Sequence, residues 1–160
     1  MCGADVVTLR PTQVAGLALV LAAEASEDSI RWLGEVGAAW HDVALRDSDQ
    51  EHIVILDGEA FVGFVVLAGV STPRVELRRI VIVEAARGRG LGRLAVRAVL
   101  ARLPKTIERV WLDVKMDNVR ARSLYLSERF EVDRVLEDAG HEPDGTSYSL
   151  VLMSRAVRLS

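Results

Sequence analysis

The stretch from Val75 to Leu103, "VELRRIVIVEAARGRGLGRLAVRAVLARL", carries the punctuation on which the fold turns. Its opening, extended back to Arg74, is dense in β-branched residues toward Val83 and predicts a long strand over 74–83. Its close sets Leu94, Val96, Val99, Leu100 and Leu103 as the core face of a helix, which Pro104 ends. Between them Gly88, Gly90 and Gly92 are interleaved with arginines. A glycine-rich turn from strand into helix offers unpaired backbone amides and the positive end of a helix dipole, which together suit an anion. Without a Cβ, these positions can approach a ligand closely and take positive φ. Arg87, Arg89 and Arg93 add forked donors for phosphate.

Counting along the loop excludes two familiar phosphate binders. A Walker A loop requires Gly-x-x-x-x-Gly-Lys-Ser/Thr, but Arg93 stands where its second glycine belongs. A dinucleotide fingerprint, Gly-x-Gly-x-x-Gly/Ala, meets Arg93 at its third position, and the chain lacks repeated βαβ units.

Working outward, Val6 to Leu9 reads as a short strand, and residues 12–25 as an Ala/Leu-rich helix opened by Pro11. Residues 26–46 form a second helical zone that Gly34 and Gly37 can break. Asp57-Gly58 separates two apolar runs, so strands at 52–56 and 60–69 form an antiparallel hairpin. Beyond the glycine loop come a strand at 109–114, a helix at 119–129, a strand over "VDRVLE" (132–137) and a last strand over 146–157. The order is β-α-α-β-β-β-α-β-α-β-β, an α/β (α+β) chain expected as a single domain over 1–160.

The 160 residues suffice for a sizeable core, and half of them are hydrophobic. A net charge of −3 argues against a general nucleic-acid binder, which needs a cationic surplus. One cysteine, Cys2, allows no disulfide within the chain and suggests a reducing, cytoplasmic setting. His41, His52 and His141 show no metal-ligand spacing, so no metal is expected. "VAGLALVLAA" (Val14–Ala23) imitates a signal-peptide core. It lacks a basic leader and is too short to span a bilayer, so it reads as a core-facing helix with no membrane role.

What fits the loop is Arg/Gln-x-x-Gly-x-Gly/Ala, present as Arg87-Gly88-Arg89-Gly90-Leu91-Gly92. It resembles the acyl-CoA pyrophosphate loop of the GNAT superfamily of N-acetyltransferases. That family also shows Asn-x-x-Ala-x-x-x-Tyr, matched here by Asn118, Ala121 and Tyr125. The resemblance runs from "TLRPTQ" to the last strands. It implies a GNAT fold: a mixed central sheet of about six or seven strands, flanked by about four helices.

The resemblance also implies roles. Arg87, Gly88, Arg89, Gly90, Leu91, Gly92 and Arg93 would hold the pyrophosphate of acetyl-CoA, with Arg97 as a further candidate for its 3′-phosphate. The strand holding Ile80, Val81 and Ile82 would splay from its neighbour, its freed backbone pairing with the pantetheine amides. Asn118, by itself a good helix N-cap, would bond the CoA arm. Tyr125, by itself a core tyrosine, would protonate the leaving thiolate, and Glu76 would serve as base through water. Glu84 and Asp113 are rival bases.

The chain departs from the family pattern at Glu84 and Ala86 before the loop. It departs again at Arg129-Phe130, where a glycine usually ends the helix. The implied activity is acetyl transfer to a primary amine on a small molecule, peptide or protein, and homodimers through the last strands are common in the family. A catalytically silent acyl-CoA-binding module stays open as the alternative. The acceptor would be set by residues 12–46 and by loops at 69–74 and 137–146.

Overall fold

The computed structural model describes residues 6–159, so Cys2 lies outside the described residues. In chain order the strands are β1 (Thr8–Pro11), β2 (Gln50–Asp57), β3 (Ala60–Ala68), β4 (Arg74–Ile82), β5 (Arg109–Lys115), β6 (Glu131–His141) and β7 (Ser147–Ala156). The helices are α1 (Leu17–Glu24), α2 (Glu27–Leu33), α3 (Gly37–Arg46), α4 (Leu91–Arg102) and α5 (Val119–Ser127). The helical zone at 26–46 is two helices, because Gly34 and Gly37 both take positive φ (75° and 77°). That raises the helix count above the four expected. β6 runs to His141, so the first half of the 137–146 loop read from sequence is strand.

All seven strands form one sheet in the order β1-β2-β3-β4-β5-β7-β6, antiparallel except for β4 beside β5. The β2–β3 hairpin turns on Gly58-Glu59, and only Gly58 is left-handed (φ 62°). α4 and α5 cover one face over Val65, Leu67, Val75 and Leu77. α1 and α3 cover the other, over Phe64, Val66 and Val81. β3 and β4 run so close at Gly63 that a Cβ there would stand 2.1 Å from the Val81 carbonyl oxygen.

Two irregularities in β4 create the functional geometry. Val66 pairs with Arg79 but Leu67 with Leu77, leaving Arg78 as the extra residue of a bulge. One inserted residue reverses the alternation. Val75 and Leu77 therefore face α4, whereas Arg79 and Val81 face the α1–α3 layer. Second, β4 and β5 pair only through Arg74–Glu76 against Arg109–Trp111. Beyond Glu76 the two strands part, and β5 stays paired along its other edge with β7.

Candidate active site

The parting of β4 from β5 opens two cavities with a common wall. One, of about 910 Å³, reaches from Gly88 and Gly90 along the start of α4 to Ser123 and Leu124 of α5. The other, of about 470 Å³, lies beneath α2 and is bounded by Glu76, Arg78, Asp113 and Tyr148. Ile80, Ile82, Asn118 and Tyr125 line both.

The glycine loop presents amides rather than side chains. Gly88 (φ 80°) and Gly90 (φ 75°) take the left-handed conformation that the sequence suggested. Gly92 does not: it lies in the first turn of α4, where a Cβ would make ordinary contacts with Leu124 and Ile82. Gly90 is the N-cap of α4 and has no side chain to satisfy the first amides, an arrangement that suits an anion.

The loop arginines are engaged by the protein. Arg87 donates from Nε to the Ile82 carbonyl (3.0 Å) and from its terminal nitrogens to Asp28 (3.1 Å) and Ser26 Oγ (3.0 Å). Arg89 bonds Asp57 (2.7 Å), and Arg93 bonds Ser127 and Glu128. Arg97, the 3′-phosphate candidate, grips Glu128 through two nitrogens at 3.0 and 2.9 Å. Those bonds, with Arg93's, hold the Glu128 carboxyl below the usual carboxylate range.

Backbone alternation points Ile80 and Ile82 into the gap. The Val83 amide donates to the Val62 carbonyl (2.8 Å), so Val83 and Val81 spend their backbone groups on β3. Ile80 and Ile82 turn theirs toward the space that β5 vacates, where the Ile82 carbonyl accepts from Arg87. Val81 belongs to the wall by position, with its side chain in the core on the α1–α3 side.

Asn118 caps α5, its Oδ1 accepting from the Ala121 amide (3.3 Å). Two turns later Tyr125 is 7% exposed, edge-on to Phe130 at 5.5 Å between ring centroids. Burial pushes its phenol up to about 12, so it stays protonated through the neutral range. On the far side of that wall, Glu76 Oε2 accepts from Arg78 Nε (3.1 Å) and Nη2 (2.9 Å). Burial, and then the charge of Glu76, raise the neighbouring Asp113 carboxyl above its ordinary value. A glycine loop at a helix start, a splayed strand and a protonated phenol thus meet where the two cavities join.

A sequence model of the Acetyltransferase (GNAT) family matches residues 18–130. The chain belongs to that family. No curated protein sequence matches it. Among solved structures, this GNAT chain superposes on spermidine N-acetyltransferase from Vibrio cholerae in complex with CoA and spermine. The TM-score is 0.83 at 17% identity, covering 94% of this chain and 95% of that one. The ribosomal-protein-S18-alanine N-acetyltransferase from Escherichia coli aligns with TM-score 0.79 at 17% identity, over 96% of each chain. At these identities the likeness is one of fold.

Several residues of this GNAT site were not read from sequence. Trp32, Trp40, Arg79 and Tyr148 line the smaller cavity. Tyr148 also lies across Gly140, where a Cβ would stand 2.3 Å from its hydroxyl. Among the described residues, no group of three or more His, Cys, Asp and Glu converges to hold a metal ion. No helix among them is long and apolar enough to cross a membrane.

Proposed function

We propose that the protein is an acetyl-CoA-dependent N-acetyltransferase that moves the acetyl group to a primary amine by direct attack in a ternary complex. The observation that carries this reading is the common wall: Tyr125, Asn118, Ile80 and Ile82 border both cavities, so a donor in one meets an acceptor in the other. The larger cavity suits CoA. The loop amides at Gly88 and Gly90 and those of the uncapped first turn of α4 would hold the pyrophosphate, and the Ile80 and Ile82 backbone would pair with the pantetheine amides as an added strand would. Asn118 would bond the same arm. The guanidinium of Arg87 already braces α2, so its part in the loop is to fix the loop's shape.

The smaller cavity would take the amine. Free amines have pKa values of about 10, so a proton must leave before attack. Glu76 would take it through water. Arg78 holds one oxygen of that carboxylate, which leaves the other to act, and the raised Asp113 beside it would share the proton. As the amine nitrogen bonds the acetyl carbon, the Ile82 amide would face the oxygen that gains charge. The C–S bond then breaks and the Tyr125 proton passes to sulfur. The volume of about 470 Å³ suits a small amine or the end residue of a peptide, acted on in the cytoplasm by a monomer or homodimer.

Thiol release from acetyl-CoA across a panel of amines tests this reading. Turnover is expected, and Tyr125→Phe should lower kcat by about a hundredfold or more with CoA affinity unchanged. CoA binding with no turnover on any amine would favour a silent acyl-CoA module. Absence of CoA binding by calorimetry would overturn the reading.

A further inference from the structure

α2 roofs the smaller cavity, yet it buries no apolar side chain: Ser29 is its one buried residue. Ile30 and Leu33 are 40% and 37% exposed. A helix of seven residues has little stability of its own, and with Trp32 only half-buried it draws on polar anchors as well. Three cations supply them. Arg87 bonds Ser26 and Asp28 at its start, and Lys115 Nζ donates to the Arg31 carbonyl (2.8 Å). Arg79 Nη2 donates to the Leu33 and Gly34 carbonyls (3.3 and 2.7 Å), the acceptors that the helix end leaves open.

Of the three, Arg79 is the one held from inside the protein. Its Nε lies 3.0 Å from Glu24 Oε1, off the axis of a good hydrogen bond, as an ion pair. The other oxygen of Glu24 meets His41 Nε2 at 2.8 Å. His41 Nδ1 meets His52 Nε2 at 2.8 Å, and His52 Nδ1 meets Thr12 Oγ1 at 2.8 Å. All five side chains are buried. One set of tautomers satisfies the line with both rings neutral: Thr12 donates to His52, His52 to His41, and His41 to Glu24. Burying an ion pair does not by itself favour folding over an apolar replacement. What the line does achieve is a fixed guanidinium at the end of α2, delivered from β4 by the bulge at Arg78.

We propose that Arg79, fixed by the buried line Thr12–His52–His41–Glu24, is a positioning residue that latches α2 over the acceptor cavity and so governs acceptor affinity. This rests on the acetyltransferase reading for its kinetic consequence but not for its structural one. Lysine at position 79 keeps the charge but has one nitrogen where arginine uses two, Nε toward Glu24 and Nη2 toward the carbonyls, so it cannot join the line to the helix end in the same way.

Two readouts on Arg79→Lys test it. Hydrogen exchange followed by mass spectrometry should show α2 amides exchanging at least about tenfold faster, with β2 and β3 amides unchanged. Steady-state kinetics should show acceptor KM up about tenfold, with kcat and CoA affinity within about threefold of the parent. Unchanged α2 exchange in a folded variant would overturn the latch. Faster α2 exchange with an unchanged acceptor KM, or with acceptor and CoA affinity falling together, would overturn its role in acceptor binding. If Arg79→Lys fails to fold, Thr12→Val at the far end of the line is expected to move α2 exchange and acceptor KM in the same directions by a smaller factor. No effect of Thr12→Val on either would then overturn the proposal. CoA calorimetry separates these outcomes from failure of the acetyltransferase reading, because α2 exchange is read without any substrate.

Discussion

Arg129 closes α5 in the left-handed conformation, with φ 69°, where a β-carbon meets the following carbonyl oxygen. The chain nevertheless makes both bonds of a Schellman ending. The Phe130 amide donates to the Tyr125 carbonyl (2.9 Å) and the Arg129 amide to the Leu126 carbonyl (3.1 Å). Phe130 thereby lands against the Tyr125 ring and helps seat the phenol between the two cavities. The left-handed conformation costs a non-glycine residue about 1–2 kcal/mol, and glycine's greater freedom in the unfolded chain returns part of that difference. Arg129→Gly is therefore expected to stabilise the protein by about 1 kcal/mol, raising Tm by about 2–4 °C. A thermal melt checks it, and a lower Tm would show that the arginine side chain makes a contribution larger than its backbone strain.

At the level of elements, β4 does two jobs because one residue is inserted in it. Before Arg78 it is an ordinary core strand; after it, Ile80 and Ile82 face the gap, and Arg79 reaches the layer of α1 and α3. The strand, the glycine loop and α4 were legible in the sequence because their signals are local: β-branched density, glycines at a strand end, and helical periodicity stopped by Pro104. The bulge was not, since nothing in "VELRRIVIV" marks which residue is extra. Nor was the buried polar line, whose members come together only when β2 and β4 pair through β3 and the helices pack across them. The far half of β6 was missed for a plainer reason: its side chains are almost all exposed, so the strand leaves no apolar alternation.

The same line makes an element-scale prediction about pH. His52 on β2 meets His41 on α3 and Thr12 beyond β1, and His41 in turn meets Glu24 on α1. Burial, and after it the neighbouring His41, lowers its pKa to about 4 despite the opposing effect of Glu24. Unfolded, the ring returns to its ordinary value of about 6.5 and binds a proton more readily than in the native state. The unfolded chain thus holds more protons between those values, so stability falls as pH drops from about 6.5 toward 4. The loss from this group at pH 5 is about 2 kcal/mol. Urea melts at pH 7 and pH 5 should show that loss, and His52→Gln should reduce it. An equal loss in the variant would assign the acid sensitivity to other groups.

At the scale of the whole molecule, the sheet is two blocks joined by a short seam. β1 to β4 form one block and β5, β7 and β6 the other, and the strand pairing between them is confined to Arg74–Glu76 against Arg109–Trp111. One side chain adds a cross-link: Lys115 on β5 reaches across to the Arg31 carbonyl of α2. A ligand that pairs with the free edge of β4 and also contacts α5 would extend the seam along the whole gap. Binding restricted to the native state stabilises by RT ln(1 + [L]/Kd), which is about 2.7 kcal/mol at a hundredfold excess over Kd. For a chain of this size each kcal/mol moves Tm by about 2–4 °C, so CoA at that concentration should raise Tm by about 5–10 °C. Hydrogen exchange in the same samples should slow at the Ile80 and Ile82 amides, because those amides face the gap, whereas Val81 and Val83 already bond β3. A Tm increase without added protection at Ile80 and Ile82 would place CoA on the glycine loop alone. Protection at both positions would show the donor lying in the gap as the strand that β4 lacks.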